Sequence, residues 1–115
     1  MKLKNLDDAK ELITKITSGY AKEIGASYRV QYSNRMISCK ARCTEHRLGV
    51  PVKYTFTYSV KYLVKYLDKP KQIENIITHE IAHAIVGIRH HHDSVWKAQH
   101  RKMGGNGERL FKEVA

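Results

Sequence analysis

Between Ile73 and Val86 the chain reads Ile-Glu-Asn-Ile-Ile-Thr-His-Glu-Ile-Ala-His-Ala-Ile-Val, and no other stretch constrains it as much. Ile73, Ile76, Ile77, Ile81, Ala84 and Ile85 recur at helical spacing, which predicts an amphipathic helix. Within it lies a HExxH: His79, Glu80 and His83. Helix positions four apart share a face, separated by a rise of about 6 Å. His79 and His83 can therefore point at one metal ion, with Glu80 beside them. Zinc takes imidazole nitrogen at about 2.0–2.1 Å, and a catalytic zinc keeps three protein ligands and one open position. The ion lowers the pKa of a water, and a nearby carboxylate can accept the proton. The pattern points to a metal-dependent hydrolase, most often a peptidase.

Seven histidines make a chance HxxxH a real competitor: two polar residues at a helix edge. Three features weigh against it. Glu80 stands at the one position where a base is needed. The flanking residues keep helical periodicity. A second group of histidines, His90, His91 and His92, follows closely. Gly87 is suited to end the helix, and chain that turns back after it could bring any of the three to the metal. A metzincin would carry Gly three residues and His six residues after the second His. Those positions hold Val86 and Arg89, so the chain is not a metzincin.

His-Glu-Ile-Ala-His-Ala-Ile-Val-Gly, then His-x-His-Asp-x-Val-Trp-Lys-Ala and Met-Gly-Gly, resembles the SprT-like zinc metallopeptidases. That family includes the Spartan proteases, which act on proteins crosslinked to DNA. The resemblance is specific from Ile77 to Gly107 and looser over the rest of the chain. It implies His79 and His83 as the first two zinc ligands and Glu80 as the catalytic base. It implies His92, four residues before Trp96, as the third ligand. His90 falls where short relatives often have a second His, and His91 on a small residue. The local sequence agrees with His92. Asp93 is suited to cap a helix beginning at Ser94, which fixes residue 92 at a helix entrance. Trp96, one turn in, can pack against the metal helix. Many relatives carry a cysteine zinc ribbon after the protease core; no Cys follows Cys43 here, so a short form is expected.

The expected fold is α+β and zincin-like, a single domain over residues 1–115. Asn5 can cap a first helix from Leu6 to Ile24, stopped by Gly25 and weakened at Gly19. Tyr28, Val30 and Tyr32 alternate with polar residues over 27–33, the period of a half-buried strand. Asn34-Arg35 reads as a turn into a second strand, 36–43, which would form a hairpin with the first. A loop with Gly49 and Pro51 leads to a third strand, 53–59, with Tyr54, Phe56 and Tyr58 on one face. These predict a small three-stranded antiparallel sheet. A connector over 60–67 precedes the metal helix, with Asp68 as its cap and Pro70 in its first turn. A last helix runs from Ser94 to Met103, ended by Gly104-Gly105, and the tail 108–115 docks or frays.

Cys39, Cys43 and His46 form a loose Cys-x3-Cys-x2-His. Residues four apart on a strand lie about 13 Å apart, too far for one ion, so small thiols are expected there. Two Cys and a start that turns acidic at Asp7-Asp8 before any apolar stretch point to a reducing cytoplasm. No apolar run is long enough to span a membrane. A monomer holding one Zn2+ is expected.

The net charge is +10, with ten Lys or Arg between Arg29 and Lys71 against Glu45 and Asp68. Such a field favours a polyanion, nucleic acid above all. The residues themselves leave other classes open. A basic metal hydrolase cutting RNA would share this composition. So would a DNA-binding module with a structural metal, although such a site has no use for Glu80. The resemblance implies peptide hydrolysis on a protein substrate close to DNA.

Overall fold

Asn5 opens the first helix as expected: its Oδ1 accepts the backbone N–H of Asp8 at 2.9 Å, with Asp7 and Asp8 in the positive first turn. The computed structural model describes residues 3–109. The helical pattern to Ile24 is broken into α1 (Leu6–Gly19) and α2 (Ala21–Ile24). The break falls where Gly19 weakens the helix, and Tyr20 N–H turns to Thr17 O at 3.0 Å. Gly25 closes α2 with φ 65, a left-handed conformation that glycine adopts without strain.

Three strands follow: β1 (Tyr28–Ser33), β2 (Ala41–Glu45) and β3 (Tyr54–Ser59). The α+β class is as predicted, with one correction to the sheet. Its order is β1-β3-β2; β1 runs parallel to β3 and only β2 is antiparallel to it. The hairpin through Asn34-Arg35 does not form. Ser33 Oγ instead accepts N–H groups from Arg35 at 3.2 Å and Met36 at 3.1 Å, curling the chain out of the strand. Residues 36–40 then cross the end of β3. Ser59 Oγ donates to Met36 O at 2.6 Å, Tyr62 Oη to Ile37 O at 3.1 Å, and Ser59 N–H to Lys40 O at 2.9 Å. The most apolar strand therefore takes the centre, with Phe56 paired to Val30 on one side and Cys43 on the other.

The connector 60–67 holds a short helix, α3 (Val60–Lys65), capped by Ser59. Then comes α4 (Pro70–Val86), with Lys69 rather than Asp68 in the cap position. A short 3-10 turn (Ile88–His90) and α5 (Ser94–Lys102) complete the described fold. The structure departs from a simple amphipathic α4: Gln72, Asn75, Thr78, His79 and Glu80 are buried along with the isoleucines. The helix lies between the sheet and α1 on one side and α5 on the other, so little of it meets water. Ile13, Phe56, Leu63, Ile73, Ile77 and Ile81 form the middle of the core. Among the described residues no helix is long and apolar enough to cross a membrane.

Candidate metal centre

His79 and His83 project from α4 one turn apart, with ring centroids 5.2 Å from each other. The helix stops at Gly87, whose φ of 95 suits glycine and whose N–H reaches His83 O at 3.0 Å. The chain then folds back through the 3-10 turn. His91 sits at φ 48, an uncommon backbone conformation for a residue with a side chain. Asp93 fixes the next entrance, as the sequence predicts. Its Oδ1 accepts the N–H groups of Val95 at 3.0 Å and Trp96 at 3.1 Å. Its other oxygen meets His90 Nδ1 at 2.9 Å.

This reversal carries His92 onto the two helix histidines. Its Nε2 lies 3.1 Å from His79 Nε2 and 3.2 Å from His83 Nε2. Tetrahedral ligands at about 2.0–2.1 Å from a zinc would stand about 3.3–3.4 Å apart, so the spacing fits. Of the three sequence candidates, only His92 joins His79 and His83 in a group that could hold a metal ion. His90 is turned to Asp93, and His91 stays exposed at the pocket edge. Burial first, then the neighbouring imidazoles, lowers the pKa of His79 strongly and that of His83 to about 4. Burial likewise lowers His92, helped by the charge of Arg109. The rings are therefore held neutral, the form that ligates a metal. Three neutral imidazole donors suit a borderline ion such as zinc.

Glu80 is buried beside them, its Oε2 3.9 Å from His79 Nε2. Burial raises its pKa to about 8, against an opposing pull from the Cys43 backbone and from Arg42. The shared pocket measures about 310 Å³ and is walled on one side by Ala41, Arg42 and Cys43 of β2.

Beneath the three rings lies Trp96, fully buried. Its centroid is 4.5 Å from His79, 5.1 Å from His83 and 4.7 Å from His92. Its indole N–H donates to the His79 carbonyl at 3.2 Å. The sequence foresees this packing. His100 stands one turn after Trp96 on α5, and the sequence assigns it no role. His100 is fully buried, 5.0 Å from Trp96 and 5.6 Å from His79, ring to ring. Gly107 N–H donates to its Nδ1 at 3.1 Å, so Nε2 carries the proton and donates to Thr78 Oγ1 at 3.0 Å. His100 thus bridges α4, Trp96 and the turn after α5. The available signal was its spacing, one turn from Trp96 and just before Gly104-Gly105.

A Cβ at Gly105 would collide with the His100 ring. Gly105→Ala should therefore destabilise the metal-free protein by about 1–3 kcal/mol in chemical denaturation, the usual cost of overpacking. Wild-type stability in this variant would show that the turn yields freely.

Cys39 and Cys43 are half-buried free thiols. His46 Nε2 contacts Thr55 Oγ1 at 2.6 Å, and among the described residues these three form no metal-holding group. Burial pushes the Cys43 thiol far up, leaving it unreactive.

No curated protein and no solved structure gives a significant match to the chain. The sequence model of one family, described as the SprT-like family, matches residues 9–114. With nearly its whole length matched and three convergent histidines in its fold, the chain belongs to the SprT-like family.

Proposed function

We propose that this protein is a zinc-dependent metallopeptidase in which His79, His83 and His92 hold one zinc ion and Glu80 is the catalytic base. The observation that carries this is the convergence of three imidazole Nε2 atoms with a buried carboxylate beside them. When bound, zinc supplies a Lewis acid that acidifies a water and polarises a carbonyl. Glu80 accepts the proton of the attacking water and returns it to the leaving amine. Its place beside the helix histidines, with Oε2 3.9 Å from His79 Nε2, puts the carboxyl within reach of a water held at the metal. Trp96 and Asp93 hold the entrance of His92, so the three rings need little reorganisation.

The wall of the pocket supports a peptide substrate. Among the described residues β2 pairs with β3 on one side only, and its residues 41–43 border the cavity. Apart from the Cys43 N–H, which faces Glu80, the backbone groups on its other edge can pair with an extended chain, the way peptides add to a sheet. A nucleic-acid strand has no matching row of donors and acceptors. The reading is of a monomer in a reducing compartment, where Cys39 and Cys43 stay thiols.

The charge of +10 and the family support a protein substrate close to DNA. Arg42, Arg47 and Lys53 lie on or beside the β2–β3 hairpin. Changing all three to Ala should weaken binding to duplex DNA and reduce its salt slope by about 0.9 per lost phosphate contact. A slope identical to wild type would move the DNA contact elsewhere on the molecule.

The function itself is tested with zinc-loaded protein and a DNA-bound protein substrate, with and without DNA. Fragments from wild type and none from Glu80→Gln are expected.

A further inference from the structure

Two arginines line the metal pocket. Arg42 reaches it from β2 and Arg109 from the segment after α5. Both are exposed, and among the described residues neither is ion-paired; the carboxylates of Glu80 and Asp93 lie against His79 and His90 instead. Among the described residues the one acid lining the pocket is Glu80, which is buried and committed to the chemistry.

Both arginines are placed by the fold. Arg42 is paired opposite Thr57 in the β2–β3 register. Arg109 follows a pinned stretch of chain. Asn106 N–H donates to Asn75 Oδ1 at 3.1 Å, and Gly107 N–H to His100 Nδ1 at 3.1 Å. Glu108 N–H then turns to Asn106 Oδ1 at 3.0 Å. Asn75 and His100 are buried, so this segment is fastened to α4 and α5 just before Arg109.

An unpaired guanidinium at a concave, partly dry site binds a carboxylate through two parallel hydrogen bonds. Resting on the peptidase reading above, we propose that Arg42 and Arg109 select acidic peptides, with Asp or Glu close to the scissile bond. A cavity of about 310 Å³ bordered by a strand edge admits single side chains rather than a duplex. A protein segment is therefore the better occupant than nucleic acid.

The test uses a casein-derived peptide with one mapped cleavage site, varied beside the scissile bond to Glu, Gln or Lys. Zinc-loaded wild type, Arg42→Ala, Arg109→Ala and the double variant are compared by kcat/KM. Binding of the same peptides to zinc-loaded Glu80→Gln is measured by fluorescence anisotropy. Wild type should favour Glu over Gln by about tenfold, the worth of one charge-assisted bond, and disfavour Lys. Each single variant should lose part of the preference and the double variant all of it. Arg42→Lys and Arg109→Lys, which keep the charge, should retain some.

Equal cleavage of all three peptides by wild type overturns the proposal and leaves the peptidase reading standing. Preferential binding of the Glu peptide without any cleavage does the reverse. A preference that survives in the double variant also overturns it. A double variant that keeps the Glu preference and loses only affinity for a DNA oligonucleotide would make the pair a phosphate contact.

Discussion

His92→Ala should lower zinc affinity by more than about 100-fold and abolish hydrolysis. Loss of a residue that merely steadies a ligand already costs about 10–100-fold, so loss of a ligand costs more. The geometry supplies the reason: His92 Nε2 stands within 3.2 Å of His83 Nε2 and 3.1 Å of His79 Nε2. His90→Ala removes the contact with Asp93 at 2.9 Å, but Asp93 keeps its two backbone cap bonds. His91→Ala removes an exposed ring at the pocket edge. Neither ring belongs to the group that could hold the metal, so both variants should bind zinc within a few-fold of wild type. Competition against a chelator of known affinity measures all three. If His92→Ala retained affinity while His90→Ala or His91→Ala lost it, the ligand assignment would be wrong.

Glu80→Gln should leave about one zinc per chain and reduce hydrolysis by about 10²–10⁴-fold, the usual contribution of a positioned general base. Gln keeps the shape and all three imidazoles but accepts no proton. A second consequence follows from burial. The folded carboxyl titrates at about 8, above its ordinary 4.5. For an acid raised in this way, the unfolded chain ionises first. Relative to Glu80→Gln, which shares the buried histidines, the metal-free wild type should therefore lose stability progressively as pH rises from about 4.5 to about 8. The Gln variant lacks that slope and should melt higher at neutral pH. Thermal melts of both metal-free proteins across this window check it. Parallel pH profiles would show that Glu80 is not what burial strains.

How much of this was legible beforehand depends on how local each feature is. The metal helix, its end at Gly87 and the cap at Asp93 are written in short spacings, and the structure repeats them. His92 follows from that local frame together with the family pattern. The strand order does not. Alternation over Tyr28–Ser33 and Tyr54–Ser59 says which face is buried, not which strand is the neighbour. Asn34-Arg35 has turn chemistry, but the hydroxyls of Ser33 and Ser59 redirect the chain across β3. The polar lining of α4 was hidden for the same reason. Thr78 and Asn75 look like a solvent face until α5 and residues 106–107 arrive to bond them. His100 and Arg109 gain their places only through that tertiary meeting.

The central claim is a peptide-cutting zinc site, and one side-by-side digestion tests it most directly. Zinc-loaded wild type is incubated with casein and with labelled RNA, beside Glu80→Gln and a chelated sample, and new ends are read by mass spectrometry and gel. The account predicts new peptide termini from the zinc-loaded wild type alone and intact RNA throughout. Cleaved RNA with intact casein, or peptide cleavage at the wild-type rate in Glu80→Gln, would contradict it.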